Sequence, residues 1–185
     1  VLGGSFNPAH AGHLHIARQL MRRLQLDQIW LLVTPGNPLK TSNGMASLAD
    51  RLTSARAIAD GRRIVATDIE ASLGTRYTVD TLHRLQVLFP LVQFVWLMGA
   101  DNLAGFPRWR GWMDIARTMP FAVHPRPSYN MRALAGKAAR RLRAARQAAH
   151  RAPLLGRQPG PAWVFLPAAQ HAASATALRA AGKGV

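Results

Sequence analysis

Cysteine is absent from the 185 residues, which excludes disulfides, thiolate metal sites and a cysteine nucleophile. Acidic residues are scarce, 8 against 24 basic ones, and the resulting formal charge of +16 points to an anionic partner: nucleic acid, acidic lipid or nucleotide phosphate. Lysine is scarce too, limited to Lys40, Lys137 and Lys183. Alanine is abundant, so codon bias accounts for part of the arginine excess and the charge is discounted accordingly. No run approaches the roughly 20 apolar residues needed to span a bilayer. The most apolar stretch, around Phe94 to Met98, is of strand length. No signal-peptide layout is visible at the N-terminus. An initiator methionine is lacking as well, so Val1-Leu2 running into Gly3-Gly4 predicts a first strand cut short at its start. The expectation is a cytoplasmic protein with no membrane segment.

What is present suffices for one domain, since 49% of the residues are hydrophobic and the length is too short for two ordinary domains. After the strand at Val1-Leu2, apolar residues recur at helical spacing through Leu14, Ala17, Leu20, Met21 and Leu24, and Ile29 to Val33 reads as a buried strand. A Pro/Gly/Asn loop, Thr34 to Gly44, leads to a helix over about Leu48 to Ala59 and a strand around Ile64 to Ala66. A helix over Val79 to Leu88 with Thr78 as N-cap, a strand from Phe94 to Met98, a helix over Arg108 to Thr118 and a strand from Phe121 to Val123 follow. The Ala/Arg-rich stretch Arg132 to Arg151 reads as a solvated helix face, Pro153 to Pro161 as a loop, and Trp163 to Leu166 as the last strand. Alternation of strands and helices predicts an open, mostly parallel sheet with helices on both faces, and ligands beyond the carboxyl ends of its strands. That places function in the loops after Leu2, Val33 and Met98.

The first of these loops carries the most chemistry. In the string Gly3 to His13, GGSFNPAHAGH, glycines let backbone approach a ligand, and two histidines three apart stand at a helix start. Helix-start N–H groups and imidazole donors favour phosphoryl oxygens. Neither a Gly-Lys-Ser/Thr phosphate loop nor a Gly-x-Gly-x-x-Gly fingerprint is present. Near the C-terminus, Ser174-Ala175-Thr176-Ala177-Leu178-Arg179 puts hydroxyls at another helix start and a multi-donor guanidinium one turn on.

The first string matches the signature of the nucleotidylyltransferase superfamily at Phe6, Pro8, His10, Gly12 and His13, and Ser174 to Arg179 resembles its second signature. Three further strings resemble the nicotinate mononucleotide adenylyltransferase family: Asn37-Pro38-Leu39-Lys40, Arg76-Tyr77-Thr78-Val79-Asp80-Thr81-Leu82, and Gly99-Ala100-Asp101-Asn102 followed by Phe106, Trp109 and Trp112. Pro107 stands where that family often has histidine, and the chain stops six residues after Arg179, short of the family's usual further helix.

The resemblance implies a Rossmann-like domain that transfers the AMP part of ATP to nicotinate mononucleotide, with Mg²⁺ held mainly through ATP phosphates. It implies that His10, His13 and Arg179 act at the phosphates. Gly3, Gly4, Ser5, Phe6, Gly99, Asp101, Ser174 and Thr176 would bind ATP, and Lys40, Thr78 and Trp109 the mononucleotide, leaving Trp112 to the core. Three rivals remain: a phosphopantetheine adenylyltransferase, an RNA-binding protein using Arg132 to Arg151, and a metal hydrolase using His10, His13 and His15. The second leaves Gly3 to His13 unexplained, so nucleic acid is not the expected partner, and the third lacks a nearby carboxylate in sequence.

Overall fold

The computed structural model describes residues 1–36 and 44–167. These divide into two compact units, one formed by residues 1–22, 26–36 and 44–76, the other by 23–25 and 77–167.

The first unit contains β1 (Leu2–Gly4), α1 (Ala11–Leu24), β2 (Ile29–Val33), α2 (Leu48–Ile58), β3 (Ile64–Thr67) and α3 (Ile69–Ser72). Its strands lie in the order β3-β2-β1 and all pair in parallel. β2 is central, and Ile29, Leu31, Leu32 and Val33 are fully buried, as expected for a parallel strand covered on both sides. α1 buries Ile16, Ala17, Leu20, Met21 and Leu24, one stripe at the spacing of a helical face. It ends where Gln25 turns left-handed at φ 52 and the Leu26 N–H donates back to the Met21 carbonyl at 3.0 Å, a Schellman-type closure. Register carries Gly4 of β1 opposite Val33 of β2, and the Thr34 N–H donates to the Gly4 carbonyl at 3.1 Å. The loops that leave these two strands therefore start side by side.

The second unit contains α4 (Thr78–Leu88), β4 (Trp96–Gly99), α5 (Ala100–Gly105), α6 (Trp112–Thr118), β5 (Phe121–His124), α7 (Asn130–Leu134), α8 (Lys137–Arg141), β6 (Arg146–Gln147) and β7 (Trp163–Phe165). Its strand order is β4-β5-β7-β6, again parallel at every pairing. Phe121 and Trp163 stack with ring planes 9° apart, and the Trp163 indole N–H donates to the Leu142 carbonyl at 2.8 Å, so the largest buried ring also satisfies its polar atom. Parallel strands alternating with helices give a Rossmann-like α/β fold.

Several local expectations are corrected. Thr78 is the first residue of α4 and not its cap; Tyr77 holds that position without a side-chain cap bond. Two short helices, α3 and α5, were not expected. The helix foreseen over Arg108 to Thr118 is interrupted: Phe106–Arg108 forms a 3₁₀ turn, and Gly111, left-handed at φ 62, precedes α6. A Cβ at Gly111 would also press on Val79 Cγ2 at 3.2 Å, so space and dihedral both call for glycine there. The strand foreseen from Phe94 is paired only from Trp96, whose N–H donates to the Pro120 carbonyl at 2.9 Å. Arg132 to Arg151 is no single helix, because Gly136 separates α7 from α8 and the chain then turns into the short β6. Residues foreseen as the Pro153 to Pro161 loop instead begin inside a 3₁₀ helix, Ala149–Arg157, that accommodates Pro153.

Candidate active site

His10 occupies the cap position of α1. Its Nδ1 accepts from the Gly12 N–H at 3.1 Å and its carbonyl from the His13 N–H at 2.8 Å. Returning the contact, His13 Nδ1 accepts from the His10 N–H at 3.2 Å. A ring nitrogen that accepts from an amide carries no proton, so both neutral imidazoles hold their proton on Nε2. The two rings lie 3.9 Å apart, tilted by 41°, and His13 sits 5.0 Å from the Phe6 ring. The helix start thus spends its first-turn amides on His10. Any anion delivered here would meet imidazole Nε2–H groups more than the amides of Gly12 and His13.

The loop that carries these rings is tied down from α2 and from the segment leading into it. Asn7 Nδ2 donates to the Gly44 carbonyl at 2.9 Å and Asn7 Oδ1 accepts from the Ala46 N–H at 3.1 Å. Ser54 Oγ accepts from the Ala9 N–H at 3.1 Å. Phe6 is buried and left-handed, φ 47, which is uncommon for a residue with a side chain. Its ring covers Gly4, where a Cβ would lie 3.1 Å from Phe6 Cε2. Gly3 and Ser5 are partly exposed beside it. Beneath the loop lies Arg51 of α2, 2% exposed, its basicity lowered by burial.

In the second unit β4 ends at Gly99, opposite His124 of β5, so Asp101 and Arg126 leave the sheet at the same level. Arg126 Nε is 3.7 Å from Asp101 Oδ1, both side chains more than a third exposed. Such a pair is worth at most about 1 kcal/mol, too little to explain it as a staple. A Cβ at Gly99 would run into Asp101 Oδ1 and lie 3.1 Å from Arg126 Nε, so a side chain there would push the pair aside. Asp101 Oδ1 has no hydrogen-bond partner among the described residues, and α5 is capped by Gly99 without a side-chain bond, so Asp101 does not serve as a cap.

The turn that carries Trp109 meets the start of α4, where Thr78 stands, through neighbouring residues in this unit. The Arg110 guanidinium lies 4.6 Å over the Tyr77 ring, and Gly111 sits against Val79, joining the Trp109 turn to the start of α4. Trp109 is half-buried, edge-on to Trp96 and Phe106 at 6.5 and 5.7 Å. Trp112 is half-buried too, edge-on to the fully buried Phe106 at 5.7 Å.

Lys40, Ser174, Thr176 and Arg179 lie outside the described residues. Arg51, Ser54, Asn7 and Arg126 were not singled out by sequence reasoning. For Arg51 a signal existed: Leu48, Leu52 and Ala55 mark an apolar stripe, and Arg51 falls on it at i+3. The described residues contain no group of three or more His, Asp or Glu able to hold a metal. The paired imidazoles are nitrogen groups, ill-suited to a hard oxygen-seeking cation such as Mg²⁺. No residue is therefore assigned to a metal. Among the described residues, no helix is long and apolar enough to cross a membrane.

A parallel α/β fold whose first strand ends in Gly-Gly, with a capped histidine pair opening the next helix, defines a nucleotidyl-transferring class. The profile of the cytidylyltransferase-like family matches residues 1–181. A probable nicotinate-nucleotide adenylyltransferase of Gluconobacter oxydans is 56% identical over 99% of this chain and 94% of its own length. One from Gluconacetobacter diazotrophicus is 58% identical over 97% and 84%. In fold the chain is similar to Plasmodium falciparum nicotinic acid mononucleotide adenylyltransferase complexed with NaAD, with a TM-score of 0.71, 15% identity, and coverage of 97% of this chain and 80% of that one. The chain belongs to the cytidylyltransferase-like family and, within it, to the nicotinate-nucleotide adenylyltransferases. It is a nucleotidyltransferase.

Proposed function

We infer that the chain joins nicotinate mononucleotide to the AMP part of ATP and releases pyrophosphate, a step of NAD biosynthesis. The relatives' names support the reaction, and the observation that carries the chemistry is the histidine pair with both Nδ1 atoms engaged by backbone amides. A phosphate oxygen of the mononucleotide attacks the α-phosphorus of ATP, one P–O bond forms, and the bond to the β-phosphate oxygen breaks as pyrophosphate departs. The nucleophile is already ionised, so no general base is required. What the protein supplies is alignment, which can be worth roughly 7 to 11 kcal/mol, and donors to the oxygens that gain charge.

His10 and His13 supply those donors through Nε2–H. Gly3, Gly4, Ser5 and Phe6 offer backbone to the nucleotide, and Asp101 Oδ1, an acceptor with unused capacity, suits a ribose hydroxyl or the adenine amine, with Gly99 keeping room for it. Ser174, Thr176 and Arg179 are proposed for the β- and γ-phosphates and Lys40 for the mononucleotide phosphate. Trp109 is proposed to stack on the pyridine ring. Thr78 and Val79, whose N–H groups donate to no described residue, suit the nicotinate carboxylate at the start of α4. Mg²⁺ is proposed to travel with the ATP phosphates, and no step is routed through it. The reaction is placed in the cytoplasm, and the two units are proposed to act as one nucleotidyltransferase domain.

The test is His13→Ala. Loss of one donor at the developing charge should lower turnover by about 10² to 10³-fold in a protein that still folds. Wild-type turnover in the folded variant would sink this assignment.

A further inference from the structure

Arg51 is a buried cation with no carboxylate paired to it among the described residues. Its guanidinium instead donates to four main-chain carbonyls: NH1 to Ser5 at 2.9 Å and Thr34 at 2.7 Å, NH2 to Pro35 at 3.2 Å, and Nε to Ala46 at 3.0 Å. Those carbonyls belong to three stretches: the loop after β1, the loop after β2, and the approach to α2. Leaving a charge only 2% exposed is costly unless something offsets it. An aliphatic residue at this position would continue the stripe of Leu48 and Ala55 without that cost, so packing alone does not account for arginine here. The planar five-donor fork does, because only it can hold several carbonyls in fixed directions at once.

The peptide plane carries the effect onward. In a trans peptide the C=O and the following N–H point in opposite directions. Holding the Ser5 carbonyl therefore turns the Phe6 N–H away from Arg51, and holding the Pro35 carbonyl does the same for Gly36. The Phe6 N–H donates to no described residue, and Phe6 is kept at φ 47. Ser54, one turn along α2 from Arg51, grips the same loop by accepting from the Ala9 N–H at 3.1 Å, while its single hydroxyl proton goes to the Arg51 carbonyl at 2.9 Å.

We propose that Arg51 is a positioning residue for both substrates: it locks the nucleotide loop after β1 to the loop after β2, which leads toward Lys40, so that the two ligand-binding backbones are set by a single side chain. This rests on the functional reading above. Lysine keeps the charge but offers one nitrogen, which cannot reach four carbonyls spread over three stretches.

The experiment is Arg51→Lys, with calorimetric Kd for ATP and for nicotinate mononucleotide, steady-state KM and kcat for each, and folded fraction by circular dichroism. Both Kd values and both KM values should rise together, with kcat/KM falling about 10 to 100-fold at unchanged folded fraction. Affinities within twofold of wild type for both nucleotides would overturn the proposal. So would a mere loss of folded fraction with KM unchanged, the mark of a structural role only. Where Arg51→Lys does not fold, Ser54→Ala takes its place: it loosens only the nucleotide loop and should raise the KM for ATP alone, and an unchanged ATP constant there counts against the clamp. Wild-type protein that binds neither nucleotide overturns the functional reading and this inference with it. Wild-type protein that binds both, beside an unaffected Arg51→Lys, overturns this inference alone.

Discussion

Replacing His10 by alanine removes two functions carried by opposite sides of one ring, and the two separate experimentally. Nδ1 caps α1 by accepting from the Gly12 N–H at 3.1 Å, whereas Nε2–H is the donor assigned to phosphate. Losing an N-cap costs about 0.5 to 2 kcal/mol. For a chain of this size each kcal/mol moves the melting temperature by about 2 to 4 °C, so His10→Ala should melt roughly 1 to 8 °C lower. Asparagine is among the best capping residues, and its carboxamide oxygen can accept from the same amide. It cannot place a donor where Nε2 stands. His10→Asn should therefore recover most of the melting temperature while turnover stays about 10² to 10³-fold down. Thermal denaturation followed by circular dichroism gives the first quantity and pyrophosphate release the second. An unchanged melting temperature in His10→Ala would refute the capping role, and wild-type turnover in His10→Asn would refute the donor role.

Gly99→Ala would drive a methyl into Asp101 and Arg126, so the KM for ATP should rise about tenfold with little change in melting temperature, because the pair it displaces is an exposed one; an unaltered KM would detach Asp101 from the nucleotide. Asp60 closes the turn into β3, and its carboxyl is held below its usual range by the Ile64 N–H, then the Arg62 N–H, opposed by slight desolvation of this exposed group, with help from the Arg63 N–H and the charge of Arg18. A lowered carboxyl stabilises the fold above its ordinary titration range, and that contribution disappears as the pH falls through the folded value. The melting-temperature gap between wild type and Asp60→Asn should therefore shrink as the pH drops from about 6 to about 3; a gap that does not change with pH would contradict it.

The parallel α/β pattern was legible because β2 is an unbroken apolar run, β5 is apolar up to His124, and α1 carries a clean helical stripe, signals that survive without tertiary context. Boundaries and breaks were less so. Gly111 reads as a tolerated glycine within a helical pattern until its left-handed backbone and the contact with Val79 are seen. Gly136 divides an Ala/Arg-rich stretch whose local propensity favours one helix. At the site, the histidine pair announced itself through spacing, but the direction each ring faces depends on which nitrogen the backbone occupies, and no sequence pattern encodes that. Arg51 shows the same limit more sharply. A buried guanidinium that meets carbonyls and no acidic residue among the described residues offers no complementary charge to notice, and the clue left is a charge on an apolar stripe. Arg126 was hidden for a similar reason, since its partner Asp101 lies 25 positions away and meets it only because β4 and β5 end level.

The account turns most directly on pyrophosphate release from ATP and magnesium with three acceptors in parallel: nicotinate mononucleotide, its amide, and 4′-phosphopantetheine. Release with nicotinate mononucleotide, accompanied by the dinucleotide product, is the predicted result, and the amide arm measures how strongly the acid is preferred. Release with phosphopantetheine alone, or with none of the three, would contradict it.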